Sequence, residues 1–164
     1  MARTNYALGS PEGVERGPEL IAEGTEVSAV EAAEQFGFGI VDVRLHYRNS
    51  DGSTIPKAPC TGWVTGLYTN ASRIGMITIP KDELFAGLHV ISQAGFGVVN
   101  FQLKKRKKAD NSDTPDSAVI VPNMEQSGAG DCVVPRGAKG EGIYCKEQAG
   151  YGVVDMAIDY KEPG

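Results

Sequence analysis

Gln35-Phe36-Gly37-Phe38-Gly39-Ile40-Val41-Asp42, Gln93-Ala94-Gly95-Phe96-Gly97-Val98-Val99-Asn100 and Gln148-Ala149-Gly150-Tyr151-Gly152-Val153-Val154-Asp155 are one phrase written three times. Their first glycines, Gly37, Gly95 and Gly150, are 58 and 55 residues apart, so three units nearly consume the 164-residue chain. A repeat of this period means supersecondary units that cannot bury a face alone and must pack on one another. The sequence therefore predicts a single threefold-repeat domain, with units of roughly 1–50, 51–108 and 109–164.

The repeat extends upstream. Pro80 and Pro135 each precede the first glycine of their phrase by fifteen residues, and Gly87 to Gln93 matches Gly142 to Gln148. In the first unit Pro18 stands nineteen residues before Gly37, which implies an insertion of about four residues around Ala29 to Glu34, in a stretch with some helical character. After each phrase the chain alternates. Val41, Val43, Leu45 and Tyr47 oppose Asp42, Arg44, His46 and Arg48, and the copies after Val99 and Val154 follow the same parity. Period-2 alternation is the pattern of a half-buried strand, and a wet outer face is what antiparallel sheets permit. The turn Asn49-Ser50-Asp51-Gly52 predicts a hairpin from Arg44–Arg48 into Ser53–Ile55, followed by apolar runs at Trp63–Tyr68, Gly75–Ile79 and Leu84–Ile91. With 21 glycines and nine prolines the chain has little room for helices. An all-β prism of three antiparallel sheets is expected, with a β-trefoil or a β-sandwich as alternatives.

Composition narrows the function. A chain of this length buries a core without disulfide staples. Cys60, Cys132 and Cys145 form no metal-ligand spacing, so no metal and no cofactor is expected; Cys132 and Cys145 are the pair that oxidation would join. No apolar run has the length of a membrane helix and no signal-peptide core follows Met1, so the reading is a soluble protein, cytoplasmic or released without a signal peptide. A net charge of −5 argues against a nucleic-acid binder. The basic run Lys104 to Lys108 reads as a strand end entering a solvated loop. The Asn70-Ala71-Ser72 sequon matters only in a secreted eukaryotic protein. Neither His46 nor His89 neighbours a recognisable nucleophile, and Gly37-Phe38-Gly39 opens no helix, so no enzyme is expected.

The order Gly39 to Tyr47, Asp51-Gly52, Lys81 to Gln93 and Gly97 to Lys104 resembles the strand sequence of jacalin-related lectins, and Gly150 to Tyr160 resembles their closing strand. More distantly the three units are similar to the prism of the vitelline-membrane outer-layer protein, without its many cysteines. The resemblance implies a β-prism and a glycine-aromatic loop leading to an aspartate that holds sugar hydroxyls. This chain departs from the family pattern: Tyr151 stands where the sugar-loop glycine belongs, and Ile158 stands where a further glycine follows.

A sugar site needs an aromatic face, a carboxylate or amide, and backbone able to approach closely. Each phrase offers such a set: Phe38 with Asp42, Phe96 with Asn100, and Tyr151 with Asp155 between Gly150 and Gly152. The expected function is a non-catalytic, lectin-like carbohydrate-binding protein whose partners are glycans or glycoproteins, with a homo-oligomer raising avidity. Residues 1–28 are read as an N-terminal arm and first strands, and 29–164 as the rest of the single domain; the alternative function is a structural or assembly protein, such as a virion decoration or fibre component, with that arm docking on a neighbour.

Overall fold

A computed structural model describes residues 2–162. They form β1 (Ala2–Arg3), β2 (Val14–Leu20), β3 (Thr25–Gln35), β4 (Gly39–Asn49), β5 (Arg73–Thr78), β6 (Glu83–Gln93), β7 (Gly97–Lys107), β8 (Gly128–Val133), β9 (Lys139–Gln148) and β10 (Gly152–Lys161). Three sheets result: sheet A in the order β1-β10-β9-β2, sheet B in the order β4-β3-β5, and sheet C in the order β7-β6-β8. Every pairing is antiparallel. The repeated phrase forms the turns of the β3–β4, β6–β7 and β9–β10 hairpins, and the sheets close face to face as a β-prism.

An irregular segment runs along the outer edge of β4, β7 and β10, and along β10 it continues β1. Thr61 and Val64 donate their backbone N–H groups to Leu45 and Val43 at 2.8 and 3.0 Å; Ser117 and Ile120 donate to Leu103 and Phe101 at 3.0 Å; Thr4 and Ala7 donate to Ile158 and Met156 at 2.9 and 3.0 Å. A hydroxyl clip marks the same point in all three. Leu45, Leu103 and Ile158 donate N–H to the hydroxyls of Thr61 (3.0 Å), Ser117 (2.8 Å) and Thr4 (3.0 Å).

Sheet B comes from residues 25–78 and sheet C from 83–133, whereas sheet A joins residues 2–20 to 139–161. These boundaries are offset from the units 1–50, 51–108 and 109–164. Within the expected N-terminal arm and first strands, residues 1–28, the strands Ala2–Arg3, Val14–Leu20 and the start of β3 pair within sheets A and B of their own chain.

The first unit needs no insertion. Thr25, Glu83 and Ala138 donate N–H to the carbonyls of Ala22, Pro80 and Pro135, so Ala22 occupies the position of the two prolines, fifteen residues before Gly37. Pro18 lies further back, within β2, and Ala29 to Glu34 lie in the middle of β3 rather than in a helical stretch. Ser53–Ile55 is not a strand, and Trp63–Tyr68 runs into a 3₁₀ turn at Leu67–Asn70.

The core is symmetric. Ile40, Val98 and Val153 head it, followed by Val43, Phe101 and Met156 and then Leu45, Leu103 and Ile158, all fully buried. Burying each such side chain stabilises by about 1.5–3 kcal/mol.

Candidate functional site

The two glycines of each phrase do different work. Gly37, Gly95 and Gly150 have φ of +87°, +86° and +85°, and a Cβ added at any of them would meet nothing within 4 Å, so only backbone conformation selects them. Gly39, Gly97 and Gly152 also have positive φ, but a Cβ there would stand 2.5 Å from the Val98 carbonyl oxygen, 2.8 Å from that of Val153 and 3.0 Å from that of Ile40. The contacts run in a ring: turn one on strand β7, turn two on β10, turn three on β4. The ring gathers all three phrases at one end of the prism.

A β-bulge follows each turn. The pairing skips between Ala33/Asp42 and Glu34/Ile40, between Ile91/Asn100 and Ser92/Val98, and between Glu147/Val153 and Lys146/Asp155, leaving Val41, Val99 and Val154 as the extra residues. A bulge lets two consecutive residues be buried and re-aims the side chains beyond it. Ile40 and Val41 are both buried, as are their copies.

Asp42, Asn100 and Asp155 are fully buried, which corrects the expectation that they face solvent. The irregular segment covers each. Asp155 accepts N–H from Leu8, Ser10 and Met156 at 2.8, 2.8 and 2.9 Å. Asp42 accepts N–H from Thr65, Tyr68 and Val43 at 2.8, 3.0 and 3.0 Å. Asn100 accepts from Val121 and Phe101 and donates to the carbonyls of Val121 and Asn123 at 2.7 and 2.8 Å. These groups fix the covering segments in place, because buried carboxylates and amides need such partners.

Around the turns lie two grooves. The first, of 350 Å³, is bounded by turn one (Gln35, Phe38), by Leu67 and Asn70, and by turn three from Gln148 to Gly152. The second, of 520 Å³, lies between turn three, turn two (Gln93, Gly95) and the segment Leu8 to Glu12. Tyr151 lines both and is 36% exposed. The structure thus brings Phe38, Gly150, Tyr151 and Gly152 together, while Phe96 is half-buried and lines neither groove. The walls are held by the buried acids: Asp155 secures Leu8 and Ser10, and Asp42 secures Tyr68 beside Leu67.

Several contributors were not among the expected residues. The ring of Trp63 stacks on that of Tyr68 at 5.3 Å, and the Arg44 guanidinium lies 4.5 Å from the Trp63 ring centre. Glu31 accepts from Arg44 at 2.8 Å and contacts His46 at 2.6 Å. Burial pushes the Glu31 carboxyl up, but these two bonds together outweigh it and hold the group below its usual range. The stack braces the segment that walls the first groove. Its only sequence signal is the Trp-x₄-Tyr spacing, which no pattern rule singles out.

Other charged groups are engaged internally. Lys104 pairs with Asp116 and Asp131, Lys105 with Glu83, Arg106 with Asp113, and Lys108 with buried Glu26. His89 contacts Asp131 at 2.6 Å. Among the described residues no group of three or more His, Cys, Asp or Glu is arranged to hold a metal ion, and no helix is long and apolar enough to cross a membrane.

The β-prism defines the class of architecture, and solved structures share it. The chain is similar to a prostate-specific WGA16 glycoprotein lectin (TM-score 0.65, 10% identity, 99% of this chain and 100% of that one). It is also similar to AcmJRL, a mannose-binding jacalin-related lectin from Ananas comosus (TM-score 0.56, 12% identity, 99% and 98% covered). A third likeness is to Calsepa lectin in complex with a bisected glycan (TM-score 0.54, 11% identity, 93% and 100% covered). No family model matches the sequence, and no curated protein matches it. At these identities the likeness is one of fold.

Proposed function

We propose that the protein is a non-catalytic, lectin-like carbohydrate-binding protein that takes a sugar at the turn end of the prism. The observation that carries the reading is Tyr151, exposed on the divide between two grooves that are edged by the amides of Gln35, Asn70, Gln93 and Gln148. An aromatic ring takes the apolar face of a pyranose, and amides and loop backbone take its hydroxyls. Phe38, Gly150 and Gly152 shape the first groove. Asp42 and Asp155 act as positioning residues for the walls, through the segments they hold, whereas Asn100 holds Val121 and Asn123, which line neither groove. The partners are glycans or glycoproteins, and no cofactor is required. A diverse glycan array is the test: retention of defined glycans that disappears in Tyr151→Ala supports the reading, and an array without any binding sinks it.

One observation favours the assembly reading as second. Ile74 and Met76, 49% and 54% exposed, lie on the edge strand β5 of sheet B. Their register partners show the asymmetry: Met76 lies opposite Glu31 on β3, whereas in sheet C the same place is taken by Asp131 opposite His89. An apolar outer face on one sheet suits association, including the homo-oligomer that would raise lectin avidity. Light scattering that gives a defined oligomer, broken by Met76→Lys, supports association; a monomer at high concentration removes it.

A further inference from the structure

We infer that the two grooves form one continuous site for a neutral oligosaccharide whose chain passes over Tyr151, and that the site rejects anionic sugars. The inference rests on the carbohydrate reading and specifies its substrate.

Three observations carry it. First, Tyr151 and Gln148 line both grooves, so the grooves adjoin at these two residues. A ring seated against either face of the tyrosine is in reach of the same amide. Second, the volumes are 350 and 520 Å³, each within the span of about 300 to 1,000 Å³ typical of small-ligand clefts, so a single ring leaves one groove empty. Third, the charges lining the grooves are carboxylates, Glu12 in the second and Glu147 in the first, with no lysine, arginine or histidine among the lining residues. Glu147 is met by Arg16 at 3.2 Å. The ammonium of Lys146, in the strand beneath, is turned to the Ser10 carbonyl at 2.6 Å and to the Tyr6 ring at 4.6 Å. A sialic acid, uronic acid or sulfate therefore meets Glu12, which has no ion-pair partner among the described residues, and no cation among the lining residues, and like charges in a partly desolvated groove repel.

The walls are preorganised, which favours a ligand that touches both. Asp155 pins Leu8 and Ser10 on the far side of the second groove, and Asp42 with the Trp63–Tyr68 stack pins the far side of the first. Rigid walls lower the ordering cost of binding, so a second ring adds contact area at little further cost.

The experiment has two stages. An array carrying neutral, sialylated, sulfated and uronic-acid glycans is read first; the strongest neutral binder is then cut back to its mono-, di- and trisaccharide and each is titrated by calorimetry. Neutral glycans are expected to dominate, and affinity is expected to rise about ten-fold from mono- to trisaccharide. Asn70→Ala in the first groove and Gln93→Ala in the second should each weaken the trisaccharide, while only one of them weakens the monosaccharide. Both are surface positions, and unfolding in urea checks that the variants are folded. Equal affinity for mono- and trisaccharide overturns the continuous site, and a preference for anionic glycans overturns the charge rule; either result leaves the carbohydrate reading standing. Absence of binding to every glycan overturns both.

Discussion

Asp155 Oδ1 accepts the backbone N–H of Leu8 at 2.8 Å, across 147 residues of chain. The same carboxylate takes Ser10 and Met156, so one buried anion holds the covering segment of sheet A. Asp155→Ala leaves these donors without partners and is expected to destabilise the fold by about 3 kcal/mol, with Asp155→Asn costing less because it keeps an acceptor. Urea unfolding at pH 7 measures both. A loss below about 0.5 kcal/mol for the alanine variant would mean that water replaces the carboxylate at no cost.

Gly150 and Gly152 are a controlled pair. Both have positive φ, so Gly150→Ala is expected to cost about 1 kcal/mol from backbone conformation alone. Gly152→Ala adds a Cβ 3.0 Å from the Ile40 carbonyl and 2.9 Å from the Val41 side chain, and should cost at least 1 kcal/mol more. Thermal denaturation of the two variants side by side decides the matter, and equal costs contradict the ring packing.

The hydroxyl clips at Thr4, Thr61 and Ser117 lie on three different sheets. Thr4→Val, Thr61→Val and Ser117→Ala should each lower stability by about 1 kcal/mol. The three clips share no hydrogen-bond partner, so the triple variant should lose roughly the sum. Strong non-additivity would show that the three sheets are coupled through more than their shared core.

Burial orders the thiols by reactivity. Cys132 is buried and its thiol is pushed up to about 12, Cys145 is fully buried and likewise raised, and Cys60 is half-buried. Since the thiolate is the nucleophile, a thiol reagent on the native protein should modify Cys60 first, and the other two only on unfolding. Three thiols reacting at one rate under native conditions would contradict the packing.

Asp159 sits in β10 almost wholly buried, and its Oδ2 has no hydrogen-bond partner among the described residues. Desolvation raises its pKa above the usual carboxylate value, with Glu141 adding to the rise. The folded state therefore binds this proton more tightly than the unfolded chain. The ionised carboxylate opposes folding above the folded-state pKa, and the penalty fades as pH falls through that value toward the unfolded one. Asp159→Asn is expected to gain roughly 1 kcal/mol at pH 7, with the gain shrinking toward pH 4. Urea titrations at both values test this, and a gain that grows on acidification contradicts it.

Much of the prism was legible because its signals are local. Gly-aromatic-Gly permits the positive φ that all six of these glycines adopt, and the alternation after it marks a strand, so three copies point to three hairpins. The position of Asp42, Asn100 and Asp155 was not legible for two reasons. The bulge at Val41, Val99 and Val154 leaves no mark in a period-2 pattern, since valine suits either face. The lids over these two carboxylates and one amide come from Thr65, Leu8 and Val121, which share no residue type. Ala22 hid the first unit's turn, because a turn that begins with alanine carries no punctuation. The exposed turn position of Tyr151 follows from its flanking glycines, but the grooves it lines also depend on Asn70 and Ser10, which the chain supplies from other segments.

The lid contact occurs three times with very different loops to close. Asp42 reaches Thr65 across 23 residues and Asn100 reaches Val121 across 21, while Asp155 must find Leu8 across 147. Loop closure on that scale costs about 2 kcal/mol more entropy than the two local versions. Sheets B and C can therefore form while the chain is still being synthesised, but sheet A has to wait for its last strand. Until then residues 2–20 have no β9 or β10 to pair with, and the third side of the core lies open. Slow closure of this one face is then the step during which the newborn chain is most exposed to mispairing.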